Sequence, residues 1–283
     1  MRPRHGQTLT VTRPGRWVPM LPRLSWPRLP RLGWPRWRGL AAVAGIAATL
    51  ALALAGAAAP RTVAASRARS AAPARAAARR TSCSSVAHIG DSTSVDLISS
   101  ADLPNPAEQL PARYADVGVK HLLMDASGGR SIVEALPGQV NGYNVAQDWW
   151  NRGYRGCWVF ALGTNDTANV SVGSAVGLTA RIDEMMSVAH GEPVLWVNTV
   201  TELSSGAWSE ANEQAWDAAL VSALSRYPNM RILNWAALAQ PGWFLPDGIH
   251  YDEAGCAARA QAIAEGLANA FPPDGHSLGQ IVP

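Results

Sequence analysis

Short apolar runs alternate with helical patterns from Cys83 onward, and this alternation predicts an α/β domain. The expected architecture is a three-layer α/β/α sandwich around a five-stranded parallel sheet, preceded by an N-terminal transmembrane or signal segment. Two further observations support it. The strand-like runs are largely apolar on both faces, as parallel strands covered by helices are. Polar residues gather just past several of these runs, where ligands sit in open α/β sheets.

In chain order, residues 1–39 come first. They hold nine arginines and an Arg/Pro/Trp-rich run, and are expected to form a basic cytoplasmic leader. Proline at this density prevents a regular helix, while arginine and tryptophan favour the lipid headgroup region. A start at Met20 instead of Met1 is an equally simple account of the leader. Leu40 to Ala59 is 20 residues without a charge, the length that crosses a bilayer as a helix. The preceding arginines suit the cytoplasmic side. The segment is either an uncleaved signal anchor or a signal peptide cut at small residues such as Ala55-Gly56-Ala57. The rest of the chain is then exported, held outside the cell membrane or secreted. Residues 60–82 carry six arginines and no aromatic residue, the composition of a disordered linker.

Charge divides the chain at the same place. Residues 1–80 contain 15 of the 24 basic residues and no acidic one. Residues 81–283 hold 9 basic and 21 acidic residues, a net charge of −12. A folded part this acidic excludes nucleic acid as the expected partner.

The domain is expected over residues 83–272, with a tail at 273–283. Its strands are Val86–Ile89, Val119–Met124, Trp158–Leu162, Val194–Val200 and Arg231–Trp235; Lys120 and Asn234 interrupt the second and fifth. Helical patterns fill the gaps. Leu178, Ile182, Met185 and Met186 recur at helical spacing before the fourth strand. Ser209 opens a cap-like start before the fifth, and "DEAGCAARAQAIAEGLANAF" closes the domain.

The chemistry lies in the strand-end loops. The first strand ends in Gly90-Asp91-Ser92, the second runs into "DASGGRS", and the third ends in Gly163-Thr164-Asn165-Asp166. A loop after the fifth delivers Asp247 and His250. Taken singly, each is an ordinary turn or helix cap. Together they supply what a serine needs to cleave an ester: a hydroxyl, a base, a carboxylate that orients the base, and N–H donors for the oxyanion. Ser92 offers the hydroxyl, and Asp247 stands three residues before the imidazole of His250. The donors are the Ser92 N–H, an N–H of the Gly128-Gly129 pair and the Asn165 side-chain amide.

This ordered set resembles the SGNH (GDSL-type) hydrolases over about residues 84–271. The resemblance implies a flavodoxin-like sheet of order 2-1-3-4-5 and a Ser-His-Asp mechanism. It makes Ser92 the nucleophile and first oxyanion donor, Gly128 the second donor and Asn165 the third. His250 is then the base and Asp247 its orienter. Thr93 stands where the family usually has leucine. The glycine loop is shorter than in many relatives, which leaves Gly129 as an alternative donor. No metal or organic cofactor is implied.

Gly129, Asp166, Trp243 and Phe244 are candidates for substrate contact, with loop packing the alternative for the two aromatic residues and turn closure for Asp166. Trp149 and Trp150 are expected in the core, and His88 and His121 as interior histidines. Three cysteines in an exported domain allow one internal disulfide. In the flavodoxin-like order the first and third strands are neighbours, so Cys83–Cys157 is the expected bridge, with Cys256 free; three free thiols are the alternative.

The expected function is that of an exported serine esterase, cleaving or transferring O-acyl groups, acetyl foremost, through an acyl-serine intermediate. The substrate is an acylated carbohydrate, a lipid or a small ester, with cell-envelope glycans or glycolipids suited to the location. The membrane is a partner through residues 40–59. The alternatives are a non-catalytic carbohydrate-binding or scaffolding domain, and an accessory domain partnered with a membrane acyltransferase.

Overall fold

The computed structural model describes residues 79–283. The expected leader (1–39), membrane or signal segment (40–59) and most of the linker (60–78) lie outside the described residues. Among the described residues, no helix is long and apolar enough to cross a membrane.

Each apolar run forms a strand. In chain order the sheet strands are β1 (Ser85–Gly90), β2 (His121–Ala126), β3 (Cys157–Ala161), β4 (Val194–Val197), β5 (Met230–Leu233) and β6 (Ile281–Val282). They form one sheet of order β2-β1-β3-β4-β5-β6, with every pairing parallel. All residues of β3 and β4 are buried. Helices α1 (Ser92–Val95), α2 (Leu110–Val117), α3 (Gly142–Asn151), α4 (Thr164–Ser171), α5 (Leu178–Ala189), α6 (Glu210–Ala223), α7 (Trp235–Leu238) and α8 (Glu253–Ala270) connect the strands.

The strands' two-sided apolarity explains the layers. Val86, Val159, Leu195 and Val197 share a core with Leu110, Tyr114 and Val117 of α2 and Ile263 and Leu267 of α8. Ala87, Ile89, Phe160 and Trp196 face the other way, onto Val145 of α3, Ile182 and Met185 of α5, and Trp216 and Leu220 of α6. Alternate strand residues thus point to opposite helical layers, as the period of two requires. In α8, a Cβ on Gly266 would meet Leu233 Cδ1 at 3.0 Å, so glycine lets this helix lie close on β5.

Four expectations need correction. The sheet has six strands instead of five: the tail is not separate, because Ile232 N–H donates to Gln280 and Asn234 N–H donates to Val282. Two paired residues are too few to show a period, which is why β6 escaped the sequence. The domain also starts before Cys83. Thr81 N–H donates to Val117 and Ser82 N–H to Phe271, which ties residues 79–82 of the expected linker to the fold. The fourth strand ends at Val197, because Asn198 turns its side chain to Asp217 and Asn234. His121 is exposed, since β2 is an edge strand with one side open to water.

Cys83 and Cys157 are joined by a disulfide, with their Cα atoms 5.7 Å apart, and Cys256 is buried and free. The bridge ties the segment before β1 to the start of β3, at the sheet edge opposite the strand-end loops. Trp149 stacks on Trp158, and Trp150 lies half-buried between His190 and the Arg155 guanidinium.

Candidate active site

The turn after β1 is built from small and polar residues for steric reasons. A Cβ on Gly90 would lie 2.1 Å from Ser94 Oγ, so only glycine lets α1 start this close to the strand. Asp91 caps α1: its Oδ1 accepts from Thr93 N–H at 2.9 Å and from Thr93 Oγ1 at 2.8 Å. Arg259 of α8 donates to Thr93 Oγ1 at 3.2 Å. His88 of β1 is fully buried, with Nδ1 2.9 Å from the Tyr114 hydroxyl and Nε2 3.0 Å from Ser94 Oγ. Burial, and secondarily the charge of Arg259, push its pKa down to about 3, so this imidazole stays neutral. Ser92, partly exposed, heads α1 above these contacts.

His250 arrives from the loop between the short 3-10 turn Pro241–Trp243 and α8. Its Nε2 is 2.8 Å from Ser92 Oγ, across 158 residues of sequence. Its Nδ1 is 2.7 Å from Asp247 Oδ2. The other oxygen, Asp247 Oδ1, accepts from the N–H groups of Ile249 (2.9 Å) and His250 (3.0 Å). The short spacing thus closes an Asx turn that holds the carboxylate against the ring. Partial burial pulls the Asp247 carboxyl up, but the donors of His250 and Ile249 outweigh it and hold the pKa below its usual value. The loop is fixed by Leu245 N–H donating to His250 and Glu202 N–H donating to Gly248.

Asn165 is the second residue of α4. Its Nδ2 donates to the Arg130 carbonyl at 3.0 Å, and its Oδ1 accepts from Trp208 Nε1 at 3.4 Å. These two contacts fix which way the amide faces and leave its second N–H free to donate. The glycine loop is held by Arg130, whose buried guanidinium donates to the Asp125 carbonyl and Oδ1, both at 2.7 Å, and to Gly90.

A cavity of about 310 Å³ opens beside Asn165. Gly129 lines it, at φ +71°, with Ser131, Glu134, Leu136, Ala168, Asn169 and Trp208. Gly128 is exposed and is not among the lining residues. Gly129 thus shares a wall with Asn165, and Arg130 N–H donates to Ser127 across the turn that holds both glycines.

Asp166 does not reach a substrate. It is 0 % exposed, and its Oδ1 accepts from Ile132 N–H at 2.9 Å and from Arg181 at 2.8 Å. Trp243 stacks on Trp235 with 12° between the rings, and the Phe244 ring centre lies 4.9 Å from that of Tyr251, while both residues stay half-buried. Sequence reading missed Trp208, Glu134 and Arg181. Arg181 grips Glu134 with two nitrogens and Asp166 with one, and Glu134 in turn accepts from Asn169 and Ser174. Hydrogen bonds from Arg181, foremost, hold the Glu134 pKa down to about 2. One signal was present, since Arg181 lies on the apolar stripe of Leu178, Ile182 and Met185, where an unpaired cation would be costly.

No protein-family model matches the chain, and no curated protein matches it. Solved structures do. A carbohydrate acetylesterase family member from Sinorhizobium meliloti aligns over 64% of this chain and 95% of its own, at 15% identity and a TM-score of 0.50. The C-terminal catalytic domain of Streptococcus pneumoniae peptidoglycan O-acetyltransferase A, with a methylsulfonyl adduct, aligns over 67% of this chain and 97% of its own, at 17% identity and a TM-score of 0.48. A lipase/acylhydrolase from Enterococcus faecalis aligns over 67% of this chain and 98% of its own, at 14% identity and a TM-score of 0.48. At these identities the likeness shows architecture alone: the chain shares the α/β fold of the Sinorhizobium meliloti acetylesterase family member.

Proposed function

We propose that this chain is a serine-dependent enzyme that cleaves or transfers O-acyl groups. One observation carries the reading: the Ser92 hydroxyl lies 2.8 Å from His250 Nε2, while Asp247 holds the other ring nitrogen at 2.7 Å. Ser92 Oγ attacks the ester carbonyl carbon as His250 takes its proton. Charge on the carbonyl oxygen falls to three donors: the Ser92 N–H, the Gly129 N–H and the free N–H of the Asn165 amide. Of the two glycines the sequence offers as second donor, Gly129 is taken here, since it lines the cavity beside Asn165. Collapse of the tetrahedral intermediate expels the alcohol, which takes the proton from His250 and leaves acyl-Ser92. Water attacking the acyl carbon completes hydrolysis, and a sugar hydroxyl completes transfer.

The site of action in this reading lies outside the cell membrane, with the chain anchored by residues 40–59 or secreted. The Cys83–Cys157 bridge supports it, since disulfides persist in oxidising compartments. Acylated envelope glycans or glycolipids suit that location, and a membrane acyltransferase is the partner for the transfer reaction.

The test compares the purified full chain with Ser92→Ala on p-nitrophenyl acetate, with intact-mass analysis for an acyl adduct. Release of p-nitrophenol and the adduct are expected only from the wild type. Equal turnover by Ser92→Ala sinks the proposal.

A further inference from the structure

We infer that Thr93 and Arg259 are positioning residues of the reaction, and that the contact between them sets the reach from Ser92 to His250. This rests on the reading of Ser92 as nucleophile and His250 as base.

The two reacting groups arrive on separate parts of the chain. Ser92 heads α1, directly after the turn at Gly90 and Asp91. His250 lies in the loop that leads into α8, just before the Asp252 cap of that helix. Asp252 is tied on both sides: its Oδ1 accepts from Gly255 N–H at 2.8 Å, and its own N–H donates to Trp243. The His250 loop therefore moves with the start of α8. A slide of α8 against α1 would change the 2.8 Å between His250 Nε2 and Ser92 Oγ.

Arg259 Nη2 donates to Thr93 Oγ1 at 3.2 Å. Among the described residues, no other hydrogen bond joins side chains of α8 and α1. Thr93 passes the contact on, since its Oγ1 donates to Asp91 Oδ1 at 2.8 Å and its N–H donates to the same oxygen at 2.9 Å. Asp91, Thr93 and Arg259 are each at most 4% exposed. Arg259 Nε has no partner among the described residues, and the guanidinium lies 5.2 Å and 5.7 Å from the ring centres of Trp235 and Tyr251. The Thr93 hydroxyl thus stands between a buried cation and a buried carboxyl group. A hydroxyl can accept from one and donate to the other at once. A buried polar group left unpaired is costly, so a slide of α8 is penalised at three residues together. The side chains beside the nucleophile thereby hold the helix that follows the base.

The experiment compares the full chain with Thr93→Val, Thr93→Ser and Arg259→Met on p-nitrophenyl acetate, with kcat and KM separated. Inactivation by phenylmethylsulfonyl fluoride reads the reactivity of Ser92 toward a second electrophile. Valine keeps the shape of threonine without the hydroxyl. Methionine removes the cation and fills its place, a change that buried charges often tolerate. Thr93→Val and Arg259→Met should each lower kcat about 10²-fold, the effect of a misplacement near 1 Å. KM should stay unchanged, and inactivation should slow by the same factor as kcat. Thr93→Ser, which keeps the hydroxyl, should retain most of kcat. The double variant of Thr93→Val and Arg259→Met should be no slower than either single one, because both break the same link. Wild-type kcat in Thr93→Val or in Arg259→Met overturns the inference while leaving Ser92 as nucleophile, even where Tm falls. So does a Thr93→Ser variant as slow as Thr93→Val, or a double variant slowed by the product of the two losses. Equal turnover by Ser92→Ala and wild type overturns the inference together with the reading beneath it.

Discussion

Glu213→Gln should stabilise the protein at neutral pH and do much less in mild acid. Glu213 of α6 is 0 % exposed. Its Oε1 accepts from Thr167 Oγ1 at 2.8 Å, and its Oε2 has no partner among the described residues. Burial, above all, pushes its pKa from 4.5 up to about 8. The unfolded chain releases this proton near pH 4.5, while the folded chain keeps it to about pH 8. Folding therefore binds a proton between those values. The contribution is fully present below the unfolded pKa and is lost as pH rises toward the folded one. Between pH 5 and 7 the wild type loses about 2 kcal/mol on this account. Glutamine keeps the size and the bond from Thr167 but has no proton to lose. Urea unfolding of both proteins, followed by tryptophan fluorescence at pH 5, 6, 7 and 8, reads the effect. The variant's advantage over wild type should grow by about 2 kcal/mol from pH 5 to pH 7. Every other titrating group is common to both proteins, so a difference that stays constant with pH refutes the raised pKa and the dry environment behind it.

Asn165→Ala should lower kcat by about 10²–10³, the usual effect of removing one oxyanion donor; wild-type turnover would remove Asn165 from the mechanism. Arg181→Met should cost about 3–5 kcal/mol in urea unfolding, because it strands the buried Asp166 carboxylate. Adding Asp166→Asn to that variant should recover part of the loss, and strict additivity would mean the two groups are not coupled. Reducing the Cys83–Cys157 bridge should cost about 2–4 kcal/mol, read as a lower Tm in dithiothreitol. Peptide mapping should find these two cysteines joined and Cys256 alkylated only after unfolding.

Much of this architecture is legible because its signals are local or follow a sheet-wide rule. Val86–Ile89 and Trp158–Leu162 are apolar on both faces, which marks them as central parallel strands. The spacing of Asp247 and His250 is local and already contains the Asx turn. Ser92 and His250, far apart in sequence, meet because both leave carboxyl ends of strands in one sheet. The failures share the opposite character. Arg181 and Glu134 are 47 residues apart, and neither stands in a pattern that names the other. Asp166 follows the catalytic-looking Asn165, yet one residue along α4 turns its side chain inward by a helical step, from the surface to the core. Trp243 and Phe244 precede Asp247 closely, and their rings contact Trp235 and Tyr251, as the loop-packing alternative expects. Adjacency in a loop does not fix where a side chain goes when a core lies on one side of it.

Buried polar groups explain how loops, the least rigid parts of a chain, hold Ser92, His250 and Asp247 in contact. Three of the strand-end segments of the site rest on buried polar side chains. His88 and Tyr114 support Ser94 behind the nucleophile turn. Arg259 reaches Thr93 from α8. Arg130 joins the glycine loop to the ends of β1 and β2. Asp166 and Arg181 fasten α4 to the Ile132 backbone, and Glu213 fastens it through Thr167. Apolar packing alone tolerates small slides, whereas a buried polar group left unpaired is costly, so each of these contacts permits one position and penalises the rest. Oxyanion stabilisation depends on donors that are in place before charge develops. In the proposed reaction, the buried polar layer therefore serves by holding the donors in place before charge develops.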